Sequence, residues 1–569
     1  MNRPTSVLAL LALLTGCTGA PAASQASIPE PPPIPAGRAA PEGTYGAIDV
    51  LRYGVEIGLP APGGTEIVGT AELLLTPAWP TTEAVLDFTG LAVTDVAVDG
   101  RPVEARLEGG RLYVPLPPGL EPGRMVTVRI GYRGTPDDGL ILRDNVHGRP
   151  SAFVDNWPNR TRFWLPSVDH PSDKAVMDMR VHAPDGWRVV ANGYRSAEPA
   201  DGPPTTDGAP RRTWRWTIKV PVSSYNFVFG AAEMDVKPLG LAACGAAPAS
   251  VRGDGCVEVT AWLFPEDTAQ ASLSFRRAAR MVDVYTEMIG PYPFEKLAHV
   301  QSATRFGGME NASAIFYSER ALASGEDMEG TVAHETAHQW FGDSVTEVDW
   351  PELWLSEGFA TYFGHLFFER EDGVDAFRAR LEESRRSYLA SDVTDQPVIR
   401  ESEDLFALLD ANNYPKGGWV LHMLRGIVGD EAFFAGIREY YARFSGRNAS
   451  TDDLELVMEE ASRRDLGWFF EQWLREPGYP VLAVEHRWDA RAREVVVTVR
   501  QEQDAAWPTF RLPMELELVG ADGERRRHPV ELAERVTELR FPAAAAARDV
   551  VLDPLGWVLK RMAGERVEG

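Results

Sequence analysis

The hydrophobic period of this chain changes twice, and each change sets which kind of element can form. Between residues 44 and 262 the apolar residues come in short runs broken by Gly, Pro and Asp. Two of these runs, Val126-Thr127-Val128-Arg129-Ile130 and Trp214-Arg215-Trp216-Thr217-Ile218, alternate strictly, and Glu72-Leu73-Leu74-Leu75 is a third short run. A period of two places one face of a strand on a core, so this part predicts an all-β domain. From Asp267 to Ile289 the spacing becomes helical and stops at the breaker Gly290-Pro291-Tyr292-Pro293. Further helices are expected over about 327–341, 352–370, 374–389, 416–429, 431–444, 452–463 and 465–475. After Pro477 to Pro480 strands return, among them Val495-Val496-Val497-Thr498-Val499 and Met514-Glu515-Leu516-Glu517-Leu518. The expected fold is multi-domain α+β. It has an N-terminal β domain at 44–262, a mainly α domain at 263–476 and a small β-sandwich at 477–569, with no large helical C-terminal domain. A chain of 569 residues is long enough for three or four domains.

The first 43 residues do not belong to that core. Residues 1–17, MNRPTSVLALLALLTGC, carry a positive charge at Arg3, a short apolar stretch from Val7 to Leu14 and a small-residue end. That reads as an export signal too short to span a bilayer. Leu14-Thr15-Gly16-Cys17 is similar to the bacterial lipobox, which implies a lipoprotein anchored to a membrane through Cys17 in the cell envelope. Thr18 resembles an outer-membrane sorting residue. Residues 18–43 are rich in Ala, Pro, Ser and Gly and read as a semi-rigid spacer. Export leaves two possibilities for Cys244 and Cys256, one bridge or two free thiols.

Charge removes one class of function. Asp and Glu number 83 against 57 Lys and Arg, a net charge of −26. Such a surface repels phosphate backbones, so nucleic acid is not an expected partner.

His334 and His338 stand four residues apart in Thr331-Val332-Ala333-His334-Glu335-Thr336-Ala337-His338. On a helix both rings share a face and can reach one ion, with Glu335 beside the first of them. A third ligand is expected from Glu357, in the apolar segment Glu352-Leu353-Trp354-Leu355-Ser356-Glu357-Gly358-Phe359-Ala360. A carboxylate in such a segment is costly to bury unless it is paired or metal-bound. Two imidazoles and a carboxylate suit one Zn²⁺ per chain.

These residues, with Gly307-Gly308-Met309-Glu310-Asn311, Tyr414-Pro415-Lys416-Gly417, Gly290-Pro291-Tyr292-Pro293 and Arg162-Phe163-Trp164-Leu165-Pro166-Ser167-Val168-Asp169-His170-Pro171, resemble the aminopeptidase N-like gluzincins over roughly 45–475. The resemblance implies a thermolysin-like catalytic domain and hydrolysis of the N-terminal peptide bond. Glu335 would be the general base acting on a water made acidic by the ion, and Tyr414 the stabiliser of the oxyanion. Glu310 would anchor the substrate's free amine, with Gly307, Gly308, Met309 and Asn311 completing the substrate-binding segment. The two glycines let a peptide approach the backbone, and an edge strand there could bind it by strand addition.

Departures from the family pattern matter as well. Asp155 and Trp157 stand where many relatives place a Gln or Glu pair. They allow a second amine-binding carboxylate and a side-chain pocket wall, or a purely structural part for both. Without the long helical C-terminal domain of many relatives, a less enclosed cleft is expected. Asp343 and Thr361 are candidates for orienting the imidazoles, though capping or a solvent-facing part is the commoner one for each, and Lys416 reads as a solvated or helix-packing lysine. Two other functions compete with the aminopeptidase. A thermolysin-type zinc endopeptidase would lack the Glu310 signature, and a non-catalytic envelope peptide-binding protein would not need Glu335.

Overall fold

The computed structural model describes residues 47–205 and 208–566. The leader, Cys17 and the spacer therefore lie outside the described residues. Strand Ile48–Gly58 pairs antiparallel with Ile67–Pro77 and parallel with Lys174–Pro184, in the middle of an eight-stranded sheet. The alternating runs fall inside its strands, at Val126–Gly134 and Arg211–Ser223, with their apolar residues turned to the core. A four-stranded sheet, in the order Arg188–Ala191, Phe229–Ala232, Pro150–Val154, Leu140–Asp144, lies next along this part of the chain.

The sheet nearest the expected site has five strands, in the order Asp235–Ala242, Val257–Leu263, Leu297–Ser302, Ala314–Ser318, Gly308–Met309. Its first two strands come from residues 235–263. Gly308–Met309 forms its edge and pairs antiparallel with Ala314–Ser318. One side of this short strand is therefore open to an added strand. Cys244 and Cys256 are joined by a disulfide in the connection between the first two strands.

Three helices carry the chemistry: α1 (Glu329–His338), α2 (Trp354–Asp372) and α3 (Gly417–Val428). Glu329 opens α1 and takes ion pairs from Arg276 and Arg277 at 2.7 Å each, so an acidic residue meets the positive end of the helix dipole. Helix α2 buries residues on every side, among them Trp354, Phe359, Tyr362, Phe363 and Phe367, as expected for a helix at the centre of a domain. Gly358 and Gly417 let α2 and α3 touch at the backbone. A Cβ on Gly358 would come 2.8 Å from the carbonyl carbon of Gly417. The expected helix over Asp267 to Ile289 is instead two, Thr268–Ala271 and Ala278–Met288, separated by turns in which Phe275 is buried.

The C-terminal residues form two sheets. One has four strands built on Val481–Asp489 and Glu494–Gln501, and the other has three built on Leu512–Gly520. Trp557, from this part, stacks on His422 of α3 at 4.6 Å between ring centroids and occupies the space beside Gly426. Among the described residues no helix is long and apolar enough to cross a membrane.

Candidate metal centre and substrate cavity

Helix α1 presents His334 and His338 from successive turns, and α2 brings Glu357 to them from its first turn. The Nε2 atoms of the two rings lie 3.0 Å apart, and Glu357 Oε2 is 3.2 Å from His334 Nε2 and 3.3 Å from His338 Nε2. His338 Nδ1 faces the Phe341 carbonyl at 3.0 Å, which can only accept, so Nδ1 carries the hydrogen and Nε2 presents a lone pair. A lone pair, a second imidazole nitrogen and a carboxylate oxygen converging at such distances repel one another unless a cation sits among them. Three mutual separations near 3.2 Å also match the edge of a tetrahedron with metal–ligand bonds of about 2.0–2.1 Å. The donor set therefore fits Zn²⁺.

Electrostatics agrees with that fit. Glu310, Glu335 and Glu357 are 5 %, 6 % and 4 % exposed and share one cavity. Burial pushes the Glu310 carboxyl up to about 7. Burial also raises Glu335 well above the usual range, with Glu310 and Glu357 adding to the effect. Burial opposes ionisation of Glu357 too, but positive charge on His338, in the place a bound cation would take, and hydrogen bonds from both rings outweigh it and hold that carboxyl below its ordinary value. Three carboxylates with no Lys or Arg lining the cavity favour an added dication.

Tyr414 stands in a turn of π-helix, Asn412–Lys416, that leads into α3. Pro415 has no N–H to donate, and Lys416 N reaches back five residues to the Ala411 carbonyl at 3.0 Å. The wide turn swings the Tyr414 hydroxyl onto Glu357 Oε1 at 2.8 Å and its ring over His334 at 5.8 Å, nearly parallel. Lys416 is fully buried above the Tyr388 ring at 5.5 Å, and its Nζ has no hydrogen-bond partner. Burial lowers this amine to about 7. It packs against the domain and is not solvated.

The cavity has a volume of about 320 Å³ and is lined by Trp157, Phe306 to Glu310, His334, Glu335, His338, Glu357, Leu409 and Tyr414. Every expected catalytic and metal residue lies on it, and so do Gly307, Gly308, Met309 and Glu310. Asn311 does not. It is fully buried, its amide nitrogen lies 3.5 Å from the Met309 carbonyl, and its own carbonyl accepts from Ala314 N in the turn that starts the next strand. Its contribution is to shape that turn.

The residue that joins the two halves of the site is Gln339. Its Nε2 donates to the Glu310 carbonyl at 2.7 Å and to Asp343 Oδ2 at 2.6 Å, and its Oε1 accepts from Ser313 N at 2.7 Å. It thus ties the Glu310 segment to the end of α1. Nothing in the sequence marks Gln339, and Asp343 and Thr361 are open there to orienting the imidazoles or to capping. The carboxylate of Asp343 bonds Gln339, Thr361 lies against Gly418, and Ser356 Oγ is the side chain beside His338 Nδ1, at 3.2 Å.

Asp155 is buried in ion pairs with Arg160 at 3.2 Å and Arg305 at 3.3 Å and does not line the cavity, so it is not a second amine anchor. Trp157 does line it. The segment Arg162–Pro171 holds this loop in place. Trp164 Nε1 donates to Asn156 Oδ1 at 2.8 Å, and Asn156 Nδ2 donates to the Phe227 carbonyl at 2.6 Å.

Residues 274–473 match the peptidase family M1 domain. The chain is 28 % identical over 514 residues to an aminopeptidase N of Streptomyces lividans, covering 86 % of this chain and 54 % of that protein. It is 26 % identical over 430 residues to a leucyl aminopeptidase of Saccharolobus solfataricus, covering 70 % and 50 % respectively. The chain thus spans about half the length of these relatives. Among solved structures, an M1 zinc metallopeptidase from Deinococcus radiodurans superposes with a TM-score of 0.64 at 27 % identity, covering 75 % of this chain and 93 % of that one. A mutant of that peptidase bound to Tyr-Ser-Ala superposes with the same score at 28 % identity, covering 75 % and 94 %.

Proposed function

The chain belongs to the aminopeptidase N-like gluzincins, and from that premise we propose that it is a zinc aminopeptidase that removes the first residue of peptides. The observation that carries the reading is the position of Glu310. Its buried carboxylate shares a cavity with Glu335 and His338, the ligand-capable atoms of all three lying within 4.8 Å of one another. A peptide's terminal ammonium would pair with Glu310 and so set the first peptide bond over Glu335. An internal segment brings no ammonium and leaves the carboxylate buried without a partner.

His334, His338 and Glu357 are the residues that would hold the zinc ion, which when bound acidifies a water and polarises the scissile carbonyl. Glu335 takes the proton of the attacking water and hands it to the departing amine. Tyr414 turns its hydroxyl from Glu357 to the oxyanion that develops on the substrate, an interaction stronger in the transition state than in the ground state. Tyr414→Phe is accordingly expected to lower kcat by about 10²-fold and to leave KM nearly unchanged. A change confined to KM would remove Tyr414 from this role.

Comparison of a peptide with its N-acetylated twin tests the function. Acetylation is expected to reduce kcat/KM by about 10²-fold or more through loss of the Glu310 pair. Equal cleavage of the two would favour a thermolysin-type endopeptidase, and indifference to a chelator would contradict the zinc assignment.

The leader supports export and lipid attachment at Cys17, and the Cys244–Cys256 bridge suits an oxidising compartment. In the host, Cys17→Ala is expected to move the protein out of the membrane fraction. An unchanged distribution on fractionation would argue against the anchor.

A further inference from the structure

His334, Glu335, His338 and Glu357 are carried by α1 and α2, whereas Tyr414 stands in the π-helical turn Asn412–Lys416. Its hydroxyl is only as well placed as that turn. The C-terminal end of the turn is fixed against α2. A Cβ on Gly417 would come 2.9 Å from the Cα of Gly358, the neighbour of Glu357. The N-terminal end is gathered on Asp410. As at any helix start, the first N–H groups need acceptors from outside the turn. Asp410 Oδ1 accepts from Asn412 N at 2.9 Å and from Asn413 N at 3.3 Å, and its carbonyl accepts from Tyr414 N at 3.2 Å. Its second carboxylate oxygen, Oδ2, takes Arg400 Nη2 at 2.5 Å, and the same nitrogen donates to the Ala407 carbonyl at 2.9 Å. The side chains of Arg400 and Asp410 are 14 % and 13 % exposed, so solvent screens this pair less than one at the surface. The side chains of Asn412 and Asn413 point elsewhere. Asn412 Nδ2 donates to the carbonyls of Val393 at 3.0 Å and Gln396 at 3.2 Å, and Asn413 Nδ2 to that of Leu408 at 2.7 Å.

We propose that Asp410, held by Arg400, is a positioning residue: it sets the shape of the turn and so aims the Tyr414 hydroxyl. Its link to the reaction rests on the reading of Tyr414 as the oxyanion stabiliser. Asp410 does not line the cavity, so its effect reaches the substrate through Tyr414. The hydroxyl stands 2.8 Å from Glu357 Oε1, and a displacement of about 1 Å takes it out of hydrogen-bond range. A misplacement of that size in a catalytic group can cost about 10²-fold in rate. Without the carboxylate, two N–H groups at the start of the turn lose their acceptor, and Arg400 keeps only the Ala407 carbonyl. The buried amine of Lys416, two residues past Tyr414, also loses the carboxylate whose charge favours its ionised form. All three losses fall on the segment from 410 to 416, between which and α2 the hydroxyl is held.

The test is a double-mutant cycle on the zinc-loaded protein, with Asp410→Ala, Tyr414→Phe and the two combined. Asp410→Ala is expected to lower kcat by about 10–30-fold, with KM nearly unchanged and zinc retained. In the Tyr414→Phe background the same change is expected to cost less than about 2-fold, because the hydroxyl it positions is gone. A purely structural Asp410 would cost as much in one background as in the other. Additive losses, a loss confined to KM or a loss of zinc would therefore overturn the proposal. Asp410→Asn is the conservative variant. Its Oδ1 still accepts from the two N–H groups, while its amide has no charge for Arg400, so kcat is expected to fall by about 3–10-fold. If Asp410→Ala does not fold, Asp410→Asn takes its place in the cycle and is read in the same way. A crystal structure of the variant that folds keeps this result separate from the role of Tyr414. It is expected to show the Tyr414 hydroxyl displaced from Glu357 Oε1. If Tyr414→Phe proves fully active and the hydroxyl is displaced, the stabiliser falls and Asp410 stands as the residue that places it. An unmoved hydroxyl overturns the proposal even if Tyr414 proves essential.

Discussion

Replacing Glu335 by Gln is expected to lower kcat by about 10³–10⁴-fold, near the upper limit for removing one acid–base group. Gln has nearly the shape of Glu, so the cavity keeps its packing, but its amide cannot take a proton from water. The zinc content is expected to stay at one per chain, because His334, His338 and Glu357 converge on one another without Glu335. Folding stability of the chelator-treated protein is expected to hold or rise. Burial and two neighbouring carboxylates already raise the Glu335 carboxyl above its usual range, so its ionised form is disfavoured in the folded protein. For a carboxyl raised in this way, ionisation as pH increases costs stability, and a neutral amide removes that cost. Steady-state kinetics, metal analysis and thermal unfolding check the three parts separately. Wild-type turnover in the variant would remove Glu335 from the chemistry. Lost turnover together with lost zinc would mean that it acts on the ion's site instead.

How much of this site can be read from the chain depends on how local each interaction is. His334 and His338 are legible because the i, i+4 relation is a property of any helix, and Glu357 because a carboxylate is anomalous in an apolar segment. The helices Asp430–Phe444 and Thr451–Ser462 are legible for the same reason, since each buries one face, whereas α2 is buried on every side. The helix expected over Asp267 to Ile289 fails between Ala271 and Ala278, where tertiary packing of Phe275 overrides a local pattern. The part played by Gln339 is not legible at all. Its partners Glu310 and Ser313 lie more than twenty residues upstream, and a single Gln after a helix carries no periodic signal. The apolar side of the cavity is hidden for a related reason. Trp157, Phe306 and Leu409 come from three separate loops, and only the folded chain brings them to one surface. Asp155 shows the converse. A family position left it open to a substrate contact or a structural part, and its ion pairs with the buried Arg160 and with Arg305 favour the structural part.

Gly308→Ala is expected to cost about 10²-fold in kcat/KM, although it adds a single methyl group. A Cβ at residue 308 would stand 2.2 Å from Glu335 Oε1 and 2.5 Å from its carboxyl carbon. The Glu335 side chain must then shift, which moves the carboxylate from the place from which it reaches the attacking water. The backbone at Gly308 is not in the left-handed region, so alanine brings no strain of its own there. Gly308 is only half-buried on an edge strand, so Tm is expected to change little. Gly307 provides the control, because a Cβ there meets nothing within 4 Å. Gly307→Ala should keep most of the activity if the need for glycine comes from Glu335 rather than from the approaching peptide. Equal losses in both variants would shift the explanation to the peptide backbone running along this edge. Full activity in Gly308→Ala would mean that Glu335 works from a position other than the one beside Gly308.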